Sequence, residues 1–272
     1  MSWRGPAFTS LIVGGVVWVA CADFSASDAT NAPADGGSGA DVSAAGEGSV
    51  EADAAMGDGG TGQGCARFAD ASFCVDFEQP DPLSPMVWTA PRTSIDAGAI
   101  EITTERSVSP PHAASFVMRD GGPACDFLVL ERSFTGDFQA LRARASASVE
   151  VGGWFFVVQS HPSPFVSYVF LVSMGEQSAD MIVQQNGPDG GPTTLDIASI
   201  PFDTTPLGVF QDVVVEVDAR THSARLTVGT KSKSATLPAA FTAKDLRVTL
   251  GPFCHDRAQH VLVDDVAVWV TP

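Results

Sequence analysis

Cysteines, histidines and one aromatic stretch are the residues of this 272-residue chain whose types and spacing could carry chemistry. Cys65, Cys74, Cys125 and Cys254 form an even set, and in an oxidising compartment an even set pairs into two disulfides rather than staying reduced. Three pairings are open: Cys65 with Cys74 would staple one edge of a domain and leave Cys125 with Cys254 as a long-range tie. Cys254-His255 followed by His260 lacks the paired C-x-x-C spacing of a zinc site. Ser160-His161 and the other histidines, His112, His222, His255 and His260, show neither a nucleophile elbow nor metal-ligand spacing and read as loop or surface histidines. Gly121-Gly122 and Gly190-Gly191 join no strand to a helix, so they are turns rather than phosphate cradles. Trp154, Phe165 and Tyr168 lie in the most aromatic stretch, and exposed rings on a sheet face are what sugar binding needs. Tyr168 alternates with Val166, Phe170 and Val172, which turns it inward.

The elements that must hold these residues are strands. From Leu141 to Glu150, Leu141, Ala143, Ala145, Ala147 and Val149 share one face and Arg142, Arg144, Ser146, Ser148 and Glu150 the other, the pattern of a half-buried antiparallel strand. Similar runs occur at 99–105, 113–119, 127–134, 154–160, 166–174, 181–185, 209–218, 224–228, 245–250 and 260–270. Glycine pairs, Pro-Pro and Asp-Gly separate them, and no stretch longer than about ten residues keeps a helical stripe. The expected fold is all-β: one antiparallel β-sandwich over 65–272.

Upstream of 65 the chain changes character. Arg4 is the only charge before Asp23, and the apolar run from Ala7 to Ala20 has the length of a signal-peptide core, short of the roughly 20 apolar residues of a membrane span. Val17-Trp18-Val19-Ala20-Cys21 resembles a bacterial lipobox, whose cysteine is acylated and becomes the new N-terminus. Trp18 departs from that pattern, and Ala20-Cys21-Ala22 also offers an ordinary cleavage site that releases a soluble protein. Residues 1–21 are thus expected to be a signal peptide with a lipid-anchoring Cys21, making the protein an exported outer-membrane lipoprotein of the cell envelope, with a secreted soluble form as the alternative. Residues 22–64 carry eight acids and no Lys or Arg, with Phe24 as the only aromatic. Such a segment cannot bury enough surface to offset ordering entropy and is expected to be a disordered acidic spacer.

The formal charge of the whole chain is -17. With no basic patch, nucleic acid is excluded as a partner, and a membrane link must come from the N-terminus.

Three segments resemble laminin-G and concanavalin A-like jelly rolls of secreted bacterial proteins: Phe73-Cys74-Val75-Asp76-Phe77-Glu78 followed by Trp88; Gly208-Val209-Phe210-Gln211-Asp212 running through Val217-Asp218 to Leu226-Thr227-Val228; and Val261-Leu262-Val263-Asp264-Asp265-Val266-Ala267-Val268-Trp269. The resemblance implies a structural Ca²⁺ between the first and last strands, with Asp76, Glu78 and Asp265 on the matching positions. Catalytic concanavalin-like glucanases carry E-x-D-x-x-E on one strand. Here Glu216-Val217-Asp218 begins that pattern, but Thr221 replaces the acid, so a retaining mechanism loses its proton donor. The expected function is a tethered, non-catalytic β-sandwich that binds glycan or another cell-surface polymer. A glycan-cleaving hydrolase or lyase of the same fold and a structural envelope protein are the alternatives.

Overall fold

The computed structural model describes residues 64–93, 98–119, 127–187, 191–253 and 258–272, without side chains for 90–93. Cys21, Cys125, Cys254, the signal peptide and the spacer lie outside the described residues.

The chain folds into two antiparallel sheets packed face to face, a jelly-roll sandwich as the alternation implies. One sheet, A, joins β1 (Phe73–Val75), β3 (Gly98–Thr103), β4 (Ala113–Met118), β6 (Ala140–Val149), β11 (Gln211–Asp218), β12 (Ser223–Val228), β13 (Lys231–Thr236) and β15 (Gln259–Thr271). Its order is β13-β12-β11-β6-β15-β4-β3, with β1 also paired to β15. The other, B, joins β2 (Ala90–Thr93), β5 (Leu128–Phe138), β7 (Gly153–Ser163), β8 (Val166–Met174), β9 (Ser178–Asn186), β10 (Pro192–Pro201) and β14 (Ala243–Leu250), in the order β10-β9-β8-β7-β14-β5-β2.

Between the sheets the inward residues form one core. β6 contributes Ala143, Ala145, Ala147 and Val149, while β7 and β8 contribute Phe156, Val158, Phe170 and Val172. Small side chains on one sheet and large ones on the other fill the gap to interior density. Trp88 is fully buried, and its indole N–H donates to the Pro82 carbonyl at 2.9 Å, so the ring carries no unmet donor.

Four described strands, β1, β2, β10 and β13, lie outside the eleven expected runs. β13 reads Lys-Ser-Lys-Ser-Ala-Thr, with only Ala235 buried, because an edge strand needs a hydrogen-bonding partner more than an apolar face. β10 begins and ends in proline, the residue that argues against a strand from sequence.

The outward face of β6 also differs from expectation. Ser146 and Ser148 are buried rather than solvated, and residues from the segment before β4 reach this face. Arg106 donates to Ser148 at 3.4 Å. Val108 and Ser109 donate their backbone N–H groups to Asp264, directly opposite Ser146, at 2.8 and 2.9 Å.

A short 3₁₀ turn, Gly64–Phe68, is tied to β1 by a Cys65–Cys74 disulfide. Its Phe68 ring meets the Trp269 ring edge-on at 5.8 Å and lies under the Arg144 guanidinium.

Candidate functional site

The outer face of sheet B gathers polar groups from strands far apart in sequence. Register places Gln184 of β9 beside Val169 of β8, then Gln159 of β7, Arg247 of β14 and Ser133 of β5, in one row across the sheet. Period-two alternation turns these side chains away from the core that receives Val158, Phe170 and Val248. At one end of the row the sheet opens into a groove of about 730 Å³, lined among others by Ser133, His161, Pro164, Lys244, Asp245 and Arg247.

Two irregularities shape it. β14 slips register against β5 between Lys244 and Leu246, where Asp245 adopts a φ of 44°. Such a bulge redirects side chains at the cost of a ladder bond. Asp245 is held there by the Gly136 N–H, which donates to its carboxylate at 2.9 Å. β7 slips against β8 between Ser160 and Ser163, the segment that carries His161 and Pro162 into the groove wall.

The electrostatics are specific. Arg247 lies 3.3 Å from Glu131, with both side chains nearly buried, so one cation of the groove is locked onto the sheet. Burial, then the nearby Arg247 charge, pushes the His161 imidazole below its ordinary range against the opposing pull of Asp245. His161 is therefore neutral at pH 7, and its Nε2 is buried without a hydrogen-bond partner among the described residues. A neutral imidazole with an unmet nitrogen beside a fixed guanidinium can accept a hydrogen bond from a ligand or remove a proton from one.

The three aromatics expected to bind ligand separate. Phe165 is 70 % exposed and follows Pro164 of the groove wall in the turn between β7 and β8. Trp154 is half-buried and packs with Val129, Val157 and Leu171 on the same outer face. Tyr168 is corrected: it is 3 % exposed in the core, edge-on to Phe241 at 5.0 Å, and offers no platform. The alternation of β8 already carried that signal. Gln159, His161, Lys244, Asp245 and Arg247 were missed as a group.

The carboxylates expected to hold calcium are Asp76, Glu78 and Asp265. β1 does pair with β15, bringing the first and last strands together, but each carboxylate has a partner within the protein. Asp265 ion-pairs with Arg67 and accepts the Ser109 hydroxyl at 2.7 Å. Glu78 takes the His112 backbone N–H at 2.7 Å and sits 2.8 Å from its Nδ1. Asp76 accepts the Cys65 N–H at 3.0 Å. Among the described residues no group of three or more His, Cys, Asp or Glu is placed to hold a metal.

Glu216 lies between Arg142 at 3.8 Å and Arg225 at 3.9 Å on the outer face of sheet A. Asp218 accepts the N–H groups of Arg220 and Thr221 in the following turn.

No family model matches the sequence, and no curated protein matches it. Solved structures do match in fold. An endo-β-1,4-glucuronan lyase from the fungus Trichoderma reesei is similar with a TM-score of 0.52 at 11 % identity, covering 74 % of this chain and 96 % of that one. A glycoside hydrolase family 16 endo-glucanase from Bacteroides ovatus is similar with a TM-score of 0.51 at 10 % identity, covering 72 % and 99 %. The domain is a concanavalin-like jelly roll.

Proposed function

We propose that this protein is a glycan-binding module of the cell envelope that holds its ligand in the sheet B groove. The observation that carries the reading is the groove itself: a concave site lined by Arg247, Lys244, Asp245 and His161, whose Nε2 has no partner among the described residues, with the exposed Phe165 next in the chain to Pro164 of its wall. Convergent donors and acceptors suit the hydroxyls and carboxylates of a sugar, and an exposed ring suits its apolar face. That the fold is shared with glycan-cleaving enzymes supports the reading. A glycan array of neutral and uronate-containing oligosaccharides, probed with the purified protein, tests it: binding to a defined glycan class is expected, and a blank array would remove it.

Cleavage is the second reading, favoured by the neutral state of His161 beside Arg247. Such a pair could neutralise a sugar carboxylate and remove the neighbouring carbon-bound proton, giving elimination rather than hydrolysis. New absorbance of an unsaturated sugar on incubation with an array-positive uronan would establish it.

The envelope location rests on Cys21. Cys21→Ser is expected to move the protein from the membrane to the soluble fraction, because an acyl chain supplies the apolar area that the acidic spacer lacks. Unchanged membrane association of the variant would contradict the lipid anchor.

A further inference from the structure

On the opposite sheet from the groove, three side chains stand in the relation of nucleophile, base and orienter. β4 turns Ala114, Phe116 and Met118 into the core, so Ser115 and Val117 face out; β15 turns Val261 and Val263 in, so His260 faces out beside them. Glu150 follows β6 and donates its backbone N–H to the His260 carbonyl at 3.0 Å, which fixes it alongside. Ser115 Oγ is 3.0 Å from His260 Nε2, and His260 Nδ1 is 3.0 Å from Glu150 Oε2. In the neutral imidazole with its Nδ1–H turned to Glu150, Nε2 is the acceptor facing the Ser115 O–H. Arg106 lies 3.7 Å from the same carboxylate and holds it from the far side.

We propose that Ser115, His260 and Glu150 form a second site, a serine nucleophile with its base and orienting acid, that takes short-chain acyl esters. Ser115 Oγ attacks the ester carbonyl while its proton passes to His260 Nε2, and the C–O ester bond breaks. The departing alcohol takes that proton, leaving acyl-Ser115. Water, deprotonated by His260, then hydrolyses the acyl-serine, so ester and water become acid and alcohol with no change of oxidation state.

Access and rate follow from the surroundings. Ser115 is 7 % exposed, whereas neighbouring Val117 is 45 % exposed, so the hydroxyl forms the floor of an open face that accommodates a short acyl group on a large alcohol. Register pairs β4 with β3 on one side and β15 on the other, so its ladder N–H groups are not free to stabilise an oxyanion. Since one such donor is worth about 100-fold or more, turnover is slow and acylation is the step to observe.

The test is a fluorophosphonate probe followed by peptide mass mapping, with a 4-nitrophenyl acetate burst assay at pH 8. A single adduct on Ser115 is expected, absent in Ser115→Ala. His260→Ala should slow labelling by about 100-fold, and Glu150→Gln by about tenfold or more through loss of the tautomer-fixing partner. Melting curves of each variant show that it remains folded. Absence of a Ser115 adduct on folded protein, or a labelling rate unchanged in His260→Ala, overturns the proposal. Groove binding on sheet B stands or falls separately.

Discussion

Replacing Arg67 by alanine should lower the unfolding free energy by about 3 kcal/mol, a larger loss than truncating an ordinary surface arginine. Asp265 is fully buried where β15 leaves β4 and pairs with β1, at a register slip between Asp264 and Ala267, with a φ of 49° at Asp265 itself. Arg67 is its ion-pair partner, and the guanidinium is only 28 % exposed. Removing the cation leaves a buried carboxylate beside a second acid, with the Ser109 hydroxyl as its remaining side-chain donor, the arrangement in which loss of one partner costs most. The same substitution frees the 3₁₀ turn to pivot about the Cys65–Cys74 disulfide, uncovering Phe68 and Trp269. Denaturant unfolding of Arg67→Ala and Asp265→Asn, with and without calcium, measures this. A loss under about 0.5 kcal/mol would place the pair among ordinary surface salt bridges, and a calcium-dependent midpoint in the parent protein would mean that an ion shares the site.

Acidification from pH 7 to pH 5 should stabilise the domain. Burial, offset by the Ser109 N–H and reinforced by the Asp265 charge, raises Asp264 from 3.8 to about 6. Ser109 Oγ points its hydrogen at Asp265 Oδ1 at 2.7 Å and lies 3.2 Å from Asp264 Oδ1, so a protonated Asp264 donates into the serine and completes a chain. The sign follows from linkage. Between 3.8 and about 6 the folded chain holds a proton that the unfolded chain has released, so this contribution grows as pH falls through the folded pKa and is complete below the unfolded one. The full effect is about 3 kcal/mol, at 1.36 kcal/mol per unit, and about half of it appears by pH 5. The groups around Asp264 are Asp265, Ser109, the Val108 N–H and, through Asp265, Arg67. Asp218, whose pKa lies below its ordinary value, stays ionised across this window. Melting temperature against pH should rise toward pH 5 in the parent and lose that slope in Asp264→Asn. A flat or falling profile in the parent would contradict the assignment.

The fold was legible because period-two alternation survives in strands buried on one face, such as β6, and fails where a strand is held by its ladder alone, as in β13. The site was legible only in parts. Phe165 stood out in the most aromatic stretch, but the groove joins β5, β7 and β14, which the sequence separates widely and only sheet order makes neighbours. His161 read as a loop histidine because nothing local signals that Arg247 will lie beside it. At the first and last strands, the resemblance implied that Asp76, Glu78 and Asp265 would meet. It could not show that Arg67, folded back by the Cys65–Cys74 bridge, would pair with Asp265, or that His112, arriving ahead of β4, would meet Glu78.

Calorimetric titration of the purified protein with the glycan that the array selects, repeated on Phe165→Ala and His161→Ala, tests groove binding most directly. Phe165 is 70 % exposed, so its removal should leave the melting temperature unchanged while weakening binding by about tenfold, the worth of one stacked ring. His161→Ala should weaken it comparably by removing the acceptor in the groove wall. Undiminished affinity in both folded variants would contradict the account and move the ligand off this face of the sandwich.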